Sequence, residues 1–127
     1  GQDMNHALLQ VALGGALGSM ARYGVNILAA RISAGFPLGT LTVNIVGCFV
    51  MGILAAAIAG RGGQHFAPFL LTGMLGGFTT FSAFALDAMV LWERGAALTA
   101  AGYVLASVVI SLLAVFAGLA MGRGLFV

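Results

Sequence analysis

Charged side chains are almost missing from this sequence. Only 6% of its 127 residues are charged, and none of them is a lysine. Soluble domains carry about a quarter charged residues. So few charges cannot cover a water-facing surface, and most of the surface must therefore face lipid. The five arginines are scattered singly, which excludes a nucleic-acid-binding patch.

Groups suited to catalysis or metal binding are equally scarce. The single cysteine, Cys48, cannot form an intrachain disulfide and is interpreted as a small apolar filler. His6 and His65 stand apart and are expected to be solvated. Because the sequence has no metal-ligand spacing, phosphate-binding loop or nucleophile–base set, we predict that the chain is not an enzyme.

Long apolar stretches dominate instead: 61% of the residues are hydrophobic and the mean hydropathy is +1.12. A spanning helix needs about 20 apolar residues. The charge-free windows are 4–21, 32–60, 62–86 and 95–122. The alternation of barrel strands is absent, so hydrogen bonding of the backbone in lipid requires helices. We predict an all-α membrane protein, a single four-helix transmembrane domain over residues 1–127, with helices at about 5–31, 37–59, 66–93 and 96–122.

The arginines are shared almost equally between the two sides of such a bundle. Arg61 and Arg123 fall on the side of the termini, and Arg31 and Arg94 fall on the other side, which gains Arg22 if that side chain snorkels. Loops rich in Lys and Arg stay in the cytoplasm, so this balance gives no firm orientation. We expect insertion in both orientations and head-to-tail pairing. The alternative is that the insertion machinery selects one orientation.

Glycines recur one turn apart on single helix faces, which favours close packing of helices. The pairs are Gly14 with Gly18, Gly73 with Gly77, and Gly118 with Gly122. The spacing leaves open whether these pairs pack within a subunit or between subunits. Because four helices enclose little polar interior, a transport path is more plausible at a dimer interface.

Polar side chains inside the predicted spans are costly and need a reason. Tyr103, Ser107 and Ser111 lie on one face of the fourth helix, and Thr40 and Asn44 lie on one face of the second. The serines either bond to carbonyls of their own helix or form a polar track. The asparagine either makes a hydrogen bond between helices or contacts a ligand.

The third predicted helix has a weak point in mid-span. Gly76-Gly77 followed by Thr79-Thr80 lowers its helix propensity. A break there exposes backbone carbonyls, which are hard ligands for a small cation. In an antiparallel dimer, two such breaks could share one ion. The alternative is a kinked helix that is packed closely by its glycines.

Two phenylalanines follow this weak point, Phe81 and Phe84, and their spacing places them on one helix face. Aromatic ring edges are positive, so a dehydrated anion can lie against them beside the Asn44 amide. Such a lining attracts an anion without trapping it. The alternative is that the rings are core or lipid contacts. Asp87 lies one turn later and has three possible roles: it marks a pore vestibule, pairs with an arginine, or caps the end of the apolar stretch.

Three segments resemble the Fluc fluoride channels, also called CrcB proteins. Residues 14–23 (GGALGSMARY) resemble the first-helix pattern of glycines and arginine, and residues 39–44 (GTLTVN) resemble the second-helix motif. Residues 73–84 (GMLGGFTTFSAF) resemble the long and specific third-helix signature. The resemblance covers essentially the whole chain. It departs from the family pattern at Ala83, which replaces a threonine, and at Asp87, where many members have glutamate.

The resemblance implies a function. Members form antiparallel dual-topology homodimers in the bacterial inner membrane, and each dimer has two pathways that export cytoplasmic fluoride passively. It also implies a structural sodium ion at the centre, held by the backbone carbonyls of Gly76 and Thr79. Phe81 and Phe84 would line the pathways, with Asn44 as a donor. The polar track would correspond to Thr40, Thr80, Tyr103, Ser107 and Ser111.

Two other functions remain open from the residues themselves. A small multidrug or cation exporter also has four helices and dual topology, but its mechanism requires a carboxylate in the first helix, where this chain has Arg22 instead. A non-transporting membrane scaffold would explain the glycines. It would not explain the aligned polar and aromatic positions.

Overall fold

The computed structural model describes residues 2–126, and every element in that range is helical. In chain order the elements are α1 (Gln2–Ala30), α2 (Leu38–Arg61), a 3-10 turn (Gln64–Phe66), a π-helix (Pro68–Leu75), α3 (Gly76–Phe78), α4 (Phe81–Glu93) and α5 (Ala97–Phe126). The predicted all-α class is confirmed for the described residues.

The helices lie where the sequence places them, to within a few residues. Helix α2 covers Leu38–Arg61, and α5 covers Ala97–Phe126, which extends a few residues past the predicted end. The third predicted helix corresponds to the π-helix, α3 and α4 taken together. Charged residues stand at the ends of the apolar runs, and composition alone therefore locates these helices.

Three stretches are long and apolar enough to cross a membrane: Leu38–Arg61, Gln64–Glu93 and Ala97–Phe126. Helix α1 has 29 residues, which is about 43 Å at 1.5 Å per residue. It is not among these apolar stretches, because residues such as Gln10 and Arg22 lower its hydropathy. By this criterion the described residues provide three of the four expected spans.

The backbone of the third stretch leaves helical geometry at two residues. Thr79 has φ −87° and ψ 160°, and Thr80 has φ −154° and ψ 127°, so both are extended. Gly76 is helical, with φ −62° and ψ −36°. The non-helical residues are therefore the two threonines of the predicted weak point, whereas its two glycines stay helical.

Glycines bring α2 and α5 into close contact. A Cβ atom on Gly118 would collide with the Phe49 carbonyl oxygen, and one on Gly122 would lie 2.8 Å from the Ile53 carbonyl oxygen. Gly52 faces the backbone of α5 in the same way. A larger residue at any of these positions would push the two helices apart.

Helix α1 packs against the π-helix and α3 by the same means. A Cβ atom on Gly14 would lie 2.8 Å from the Met74 amide nitrogen, and one on Gly18 would collide with the Met74 carbonyl oxygen. A Cβ atom on Gly77 would lie 2.8 Å from the Gly15 carbonyl oxygen. The glycine pairs found in the sequence thus pack within one chain, a choice that their spacing had left open.

A tight turn returns the chain from α4 to α5. Gly95 has φ +82°, a conformation that favours glycine, and the Ala96 amide donates to the Leu91 carbonyl at 3.0 Å. The two helices therefore run antiparallel, which brings Tyr103 of α5 opposite Asp87 of α4.

The buried core is small and lies beside this turn. Leu91, Ala100 and Tyr103 are buried, and Phe36 and Phe84 pack against them. Long apolar side chains elsewhere on the described chain point outward in large numbers. Such a surface suits lipid or a second protein copy rather than water.

Candidate functional site

An open groove of about 380 Å³ is lined by α2, α4 and α5 together with the two extended threonines. Its polar lining residues are Asn44, Cys48, Thr79, Thr80, Ser107 and Ser111. Its apolar lining residues are Phe81, Phe84, Val108, Leu112 and Val115. The lining contains no charged side chain, so an ion in the groove would meet dipoles rather than a full charge.

Asn44 joins α2 to the extended segment through two hydrogen bonds. Its Nδ2 atom donates to the Thr80 carbonyl at 3.0 Å, and the Thr80 amide donates to its Oδ1 atom at 2.8 Å. The first reading of Asn44, a hydrogen bond between helices, is therefore observed. Because Nδ2 carries two protons and uses one here, a second donor remains beside the groove.

The threonine side chains are satisfied locally. The Thr80 hydroxyl accepts a hydrogen bond from the Ala83 amide at 3.2 Å and so caps the start of α4. The Thr79 hydroxyl donates to the Leu75 carbonyl at 2.9 Å. A Cβ atom on Gly47 would collide with the Thr79 methyl group, so this glycine makes room for that side chain.

The interruption changes which donors reach the preceding carbonyls. In a continuous helix the Thr80 amide would donate to Gly76 and the Ala83 amide to Thr79. The first amide bonds to Asn44 instead, and the second bonds to the Thr80 hydroxyl. The carbonyls of Gly76 and Thr79 therefore lack their helical donors. Oxygens of this kind are the ligands that hard cations prefer.

Ser107 and Ser111 carry the buried side-chain oxygens without a hydrogen-bond partner in residues 2–126. Ser107 is 6% exposed, and both residues line the groove. Ser33, by contrast, donates to the Ala29 carbonyl four residues earlier at 2.9 Å. Bonding to the serines' own helix is thus not observed at the groove. A buried hydroxyl without a partner is costly unless something binds to it.

The two phenylalanines differ in exposure. Their ring centroids lie 5.5 Å apart at an interplanar angle of 61°. Phe84 also packs against Tyr103, with centroids 5.3 Å apart. Phe81, in contrast, is 78% exposed on the single chain. This ring needs lipid or another protein copy to cover it.

Thr40 and Tyr103 do not line the groove. The Tyr103 hydroxyl donates to Asp87 Oδ2 at 3.2 Å. Thr40 and Asp87 line a separate recess of about 280 Å³. Phe84 lines the groove, and its ring packs against Tyr103, whose hydroxyl reaches the Asp87 of the recess. Within the predicted polar track, Thr80, Ser107 and Ser111 line the groove, Thr40 lines the recess, and the buried Tyr103 lines neither space.

The sequence matches known proteins over nearly its whole length. The family described as "CrcB-like protein, Camphor Resistance (CrcB)" matches residues 9–119. The chain belongs to the CrcB family. The family predicted from the three motifs is thus confirmed.

Individual CrcB-family relatives are close in sequence and length. A protein named fluoride-specific ion channel FluC from Paracoccus denitrificans is 76% identical over 123 residues, which are 97% of this chain and 99% of the relative. Proteins of the same name from Cereibacter sphaeroides and Agrobacterium fabrum are 57% and 55% identical, over 95% and 91% of this chain and 98% and 95% of the relatives. Ion-channel relatives and apolar helices together make this chain a multi-pass membrane protein.

Some contacts of this CrcB-family site were not predicted. Asp87 accepts a hydrogen bond from Tyr103, a role absent from its three sequence readings. Arg22 donates from Nε to the Gly77 carbonyl at 3.0 Å, and no sequence pattern pairs residues so far apart. Cys48 lines the groove. Its position one helical turn after Asn44 was the signal that could have placed it there.

Proposed function

We propose that two copies of this chain form a fluoride-specific ion channel through which cytoplasmic fluoride leaves the cell passively. The observation that carries the proposal is the pair of buried, unpaired hydroxyls of Ser107 and Ser111 in a groove without charged side chains. The relatives supply the identity of the ion, since they are named fluoride-specific ion channels. Conduction of an ion also requires no catalytic group.

The groove offers an anion several weak contacts. Hydroxyl protons of Ser107 and Ser111 and the second amide proton of Asn44 are free to point toward it. The ring edges of Phe81 and Phe84 add positive partial charge. No arginine lines the groove, so no full positive charge holds the ion in place. An ion that is bound only by dipoles can both enter and leave.

An antiparallel homodimer completes each groove. The groove is open on the single chain, and Phe81 beside it is 78% exposed. Two-fold symmetry with opposed orientations produces two equivalent grooves, hence two pathways for each dimer. The near-equal distribution of arginines between the two sides supports insertion in both orientations.

Helix α1 is proposed as the fourth span of one transmembrane domain in the bacterial inner membrane. Its length suffices, and its outward side chains include Leu8, Leu13 and Leu17, each more than half exposed. Two of its polar residues face the protein: Gln10 accepts a hydrogen bond from the Phe69 amide at 3.2 Å, and Arg22 reaches Gly77. These two residues, which lower the hydropathy of α1, therefore need not touch lipid.

A structural sodium ion fits the interruption between α3 and α4. The carbonyls of Gly76 and Thr79 lack helical donors, and Gly76 is exposed on the surface of the single chain. These carbonyls would hold the ion. When bound, the sodium ion would supply positive charge that replaces the hydrogen-bond donors these carbonyl oxygens lack inside the membrane. The interruption of the third span is proposed to lie within the membrane for the same reason.

Thr40 and Tyr103 are assigned to the mouth of the pathway. Thr40 lines the recess that contains Asp87, and the buried Tyr103 lies beside it, with its hydroxyl on Asp87 and its ring against Phe84. A fluoride ion leaving the groove past Phe84 would reach this polar space before water.

Efflux of fluoride from liposomes tests the proposal. Purified protein is reconstituted into vesicles loaded with potassium fluoride, valinomycin is added to carry potassium, and a fluoride electrode records release. The expected result is rapid release from protein-containing vesicles and none from protein-free vesicles. Absence of release would favour a scaffold, and proton-coupled transport of organic cations would favour an exporter.

A further inference from the structure

The backbone carbonyl of Gly77 lies in the last helical turn before the interruption. In a continuous helix it would accept a hydrogen bond from the Phe81 amide. It accepts one from Arg22 Nε instead, at 3.0 Å. Among the carbonyls of this turn, Gly77 is thus the one satisfied by a charged side chain from another helix.

Close packing explains how Arg22 reaches this carbonyl. Gly18, one helical turn before Arg22, has no space for a side chain against the backbone of Met74 and Phe78, and a Cβ atom on Gly77 would lie 2.8 Å from the Gly15 carbonyl oxygen. Helix α1 therefore lies directly on α3. From that position the half-buried Arg22 reaches the Gly77 carbonyl two residues before the interruption, and it does not line the groove.

The energetic cost of this arrangement calls for a role. No ion pair joins Arg22 to an acidic side chain among residues 2–126. A guanidinium that is half-buried in a membrane protein without a counter-ion is costly. A charge-assisted hydrogen bond to a carbonyl that has lost its own donor offsets part of that cost, and it does so only while the interruption exists.

We propose that Arg22 is a positioning residue for the interrupted segment: its guanidinium replaces the Phe81 amide at the Gly77 carbonyl and thereby removes that carbonyl from the oxygens available to a cation. This inference rests on the proposed function, because the cation is the sodium ion proposed at Gly76 and Thr79. Without Arg22, the Phe81 amide can return to Gly77 and the helix can close over the interruption. The carbonyls of Gly76 and Thr79 would then recover helical donors, and the site would bind sodium less tightly.

Two substitutions separate this role from a general effect of charge. Arg22→Met removes the donor and the charge but keeps an unbranched stem, whereas Arg22→Lys keeps a cationic donor. Arg31→Met is the matched control, because Arg31 is exposed and makes no side-chain hydrogen bond in residues 2–126. The measurement is the melting temperature of the purified protein as a function of sodium concentration at constant ionic strength, with N-methylglucamine as the replacement cation.

The half-maximal sodium concentration is expected to rise by about tenfold or more in Arg22→Met, the equivalent of one charge-assisted hydrogen bond. Arg22→Lys is expected to restore most of this loss, and Arg31→Met is expected to match the wild type. A lower half-maximal concentration in Arg22→Met would mean that Arg22 merely repels the cation, which overturns the inference. An unchanged concentration overturns it as well.

If the melting temperature of the wild type does not change with sodium concentration, the inference is also overturned. Fluoride efflux by the same preparation tests the channel proposal separately.

Amide hydrogen exchange of the wild type provides a readout that needs no variant. The Phe81 amide, displaced from Gly77 by Arg22, is expected to exchange faster than the Leu91 amide in the interior of α4. A Phe81 amide protected as strongly as that of Leu91 would contradict the replacement of one donor by the other.

Discussion

Asn44 and Thr80 are joined by a pair of reciprocal hydrogen bonds, of 3.0 and 2.8 Å, between one side-chain amide and one backbone residue. The asparagine offers Thr80 the donor and the acceptor that a neighbouring strand would offer. An extended residue can therefore persist between α3 and α4 without leaving its backbone groups unpaired. Both residues line the groove.

Removing this pair is expected to destabilise the protein. Asn44→Ala leaves the Thr80 amide without its acceptor and takes one donor from the Thr80 carbonyl, so the free energy of unfolding should fall by about 1–3 kcal/mol. Titration with sodium dodecyl sulfate, followed by circular dichroism, measures this change. Asn5→Ala serves as control, since Asn5 is exposed on α1. Equal stability of the two variants would mean that Asn44 does not hold the extended segment.

The glycine contacts predict opposite effects of one substitution at two places on α5. Gly118→Ala places a methyl group against the Phe49 carbonyl and should cost about 1–3 kcal/mol. Gly102 has open space around it, so Gly102→Ala should stabilise the helix by about 0.5–1 kcal/mol. Unfolding in detergent measures both. Equal effects would argue against direct contact of α2 with α5 in the subunit.

The exposed ring of Phe81 is expected to matter for conduction rather than for folding. Phe81→Ile removes the aromatic edge, and fluoride flux should fall by about tenfold, the scale of one aromatic contact. Phe116→Ile is the matched control, because Phe116 on α5 is 70% exposed. Efflux from liposomes, with size-exclusion chromatography as a check on assembly, provides the comparison. Unchanged flux in Phe81→Ile would place this ring outside the pathway.

Dual topology predicts labelling from both sides of the membrane. A single cysteine is placed at Gln64 in a Cys48→Ala background, and a membrane-impermeant maleimide is applied to intact cells and to inverted vesicles. With no net arginine bias, each side should label about half of the protein. Labelling of nearly all copies from one side alone would refute the antiparallel dimer.

Composition was sufficient to locate the helices but not their interruption. Charges at Arg61 and Arg94 bound apolar runs, so the ends of α2 and α4 were predictable to a few residues. Low propensity indicated the correct neighbourhood in the third helix, yet Gly76 and Gly77 stay helical and the threonines do not. Asn44, 36 residues earlier, fixes the position of the interruption by binding Thr80. The local sequence of the third helix carries no sign of this long-range contact.

The polar track shows the same limit. Helical spacing placed Ser107 and Ser111 on one face, and both line the groove. It also placed Tyr103 on their face, but the Tyr103 hydroxyl turns to Asp87. That contact depends on how α4 and α5 meet at the Gly95 turn. The helical period assigns a residue to a face of the helix. The packing of the helices decides whether that face lines the groove or the recess.

The central claim is that the unpaired hydroxyls of the groove carry fluoride, and the double variant Ser107→Ala/Ser111→Ala tests it most directly. Neither hydroxyl bonds to the protein within residues 2–126, so the variant should unfold at the same detergent concentration as the wild type. Fluoride efflux from liposomes, measured side by side, should nevertheless slow by about tenfold or more, since two donors to the ion are lost. Efflux at the wild-type rate from an equally stable variant would contradict the account.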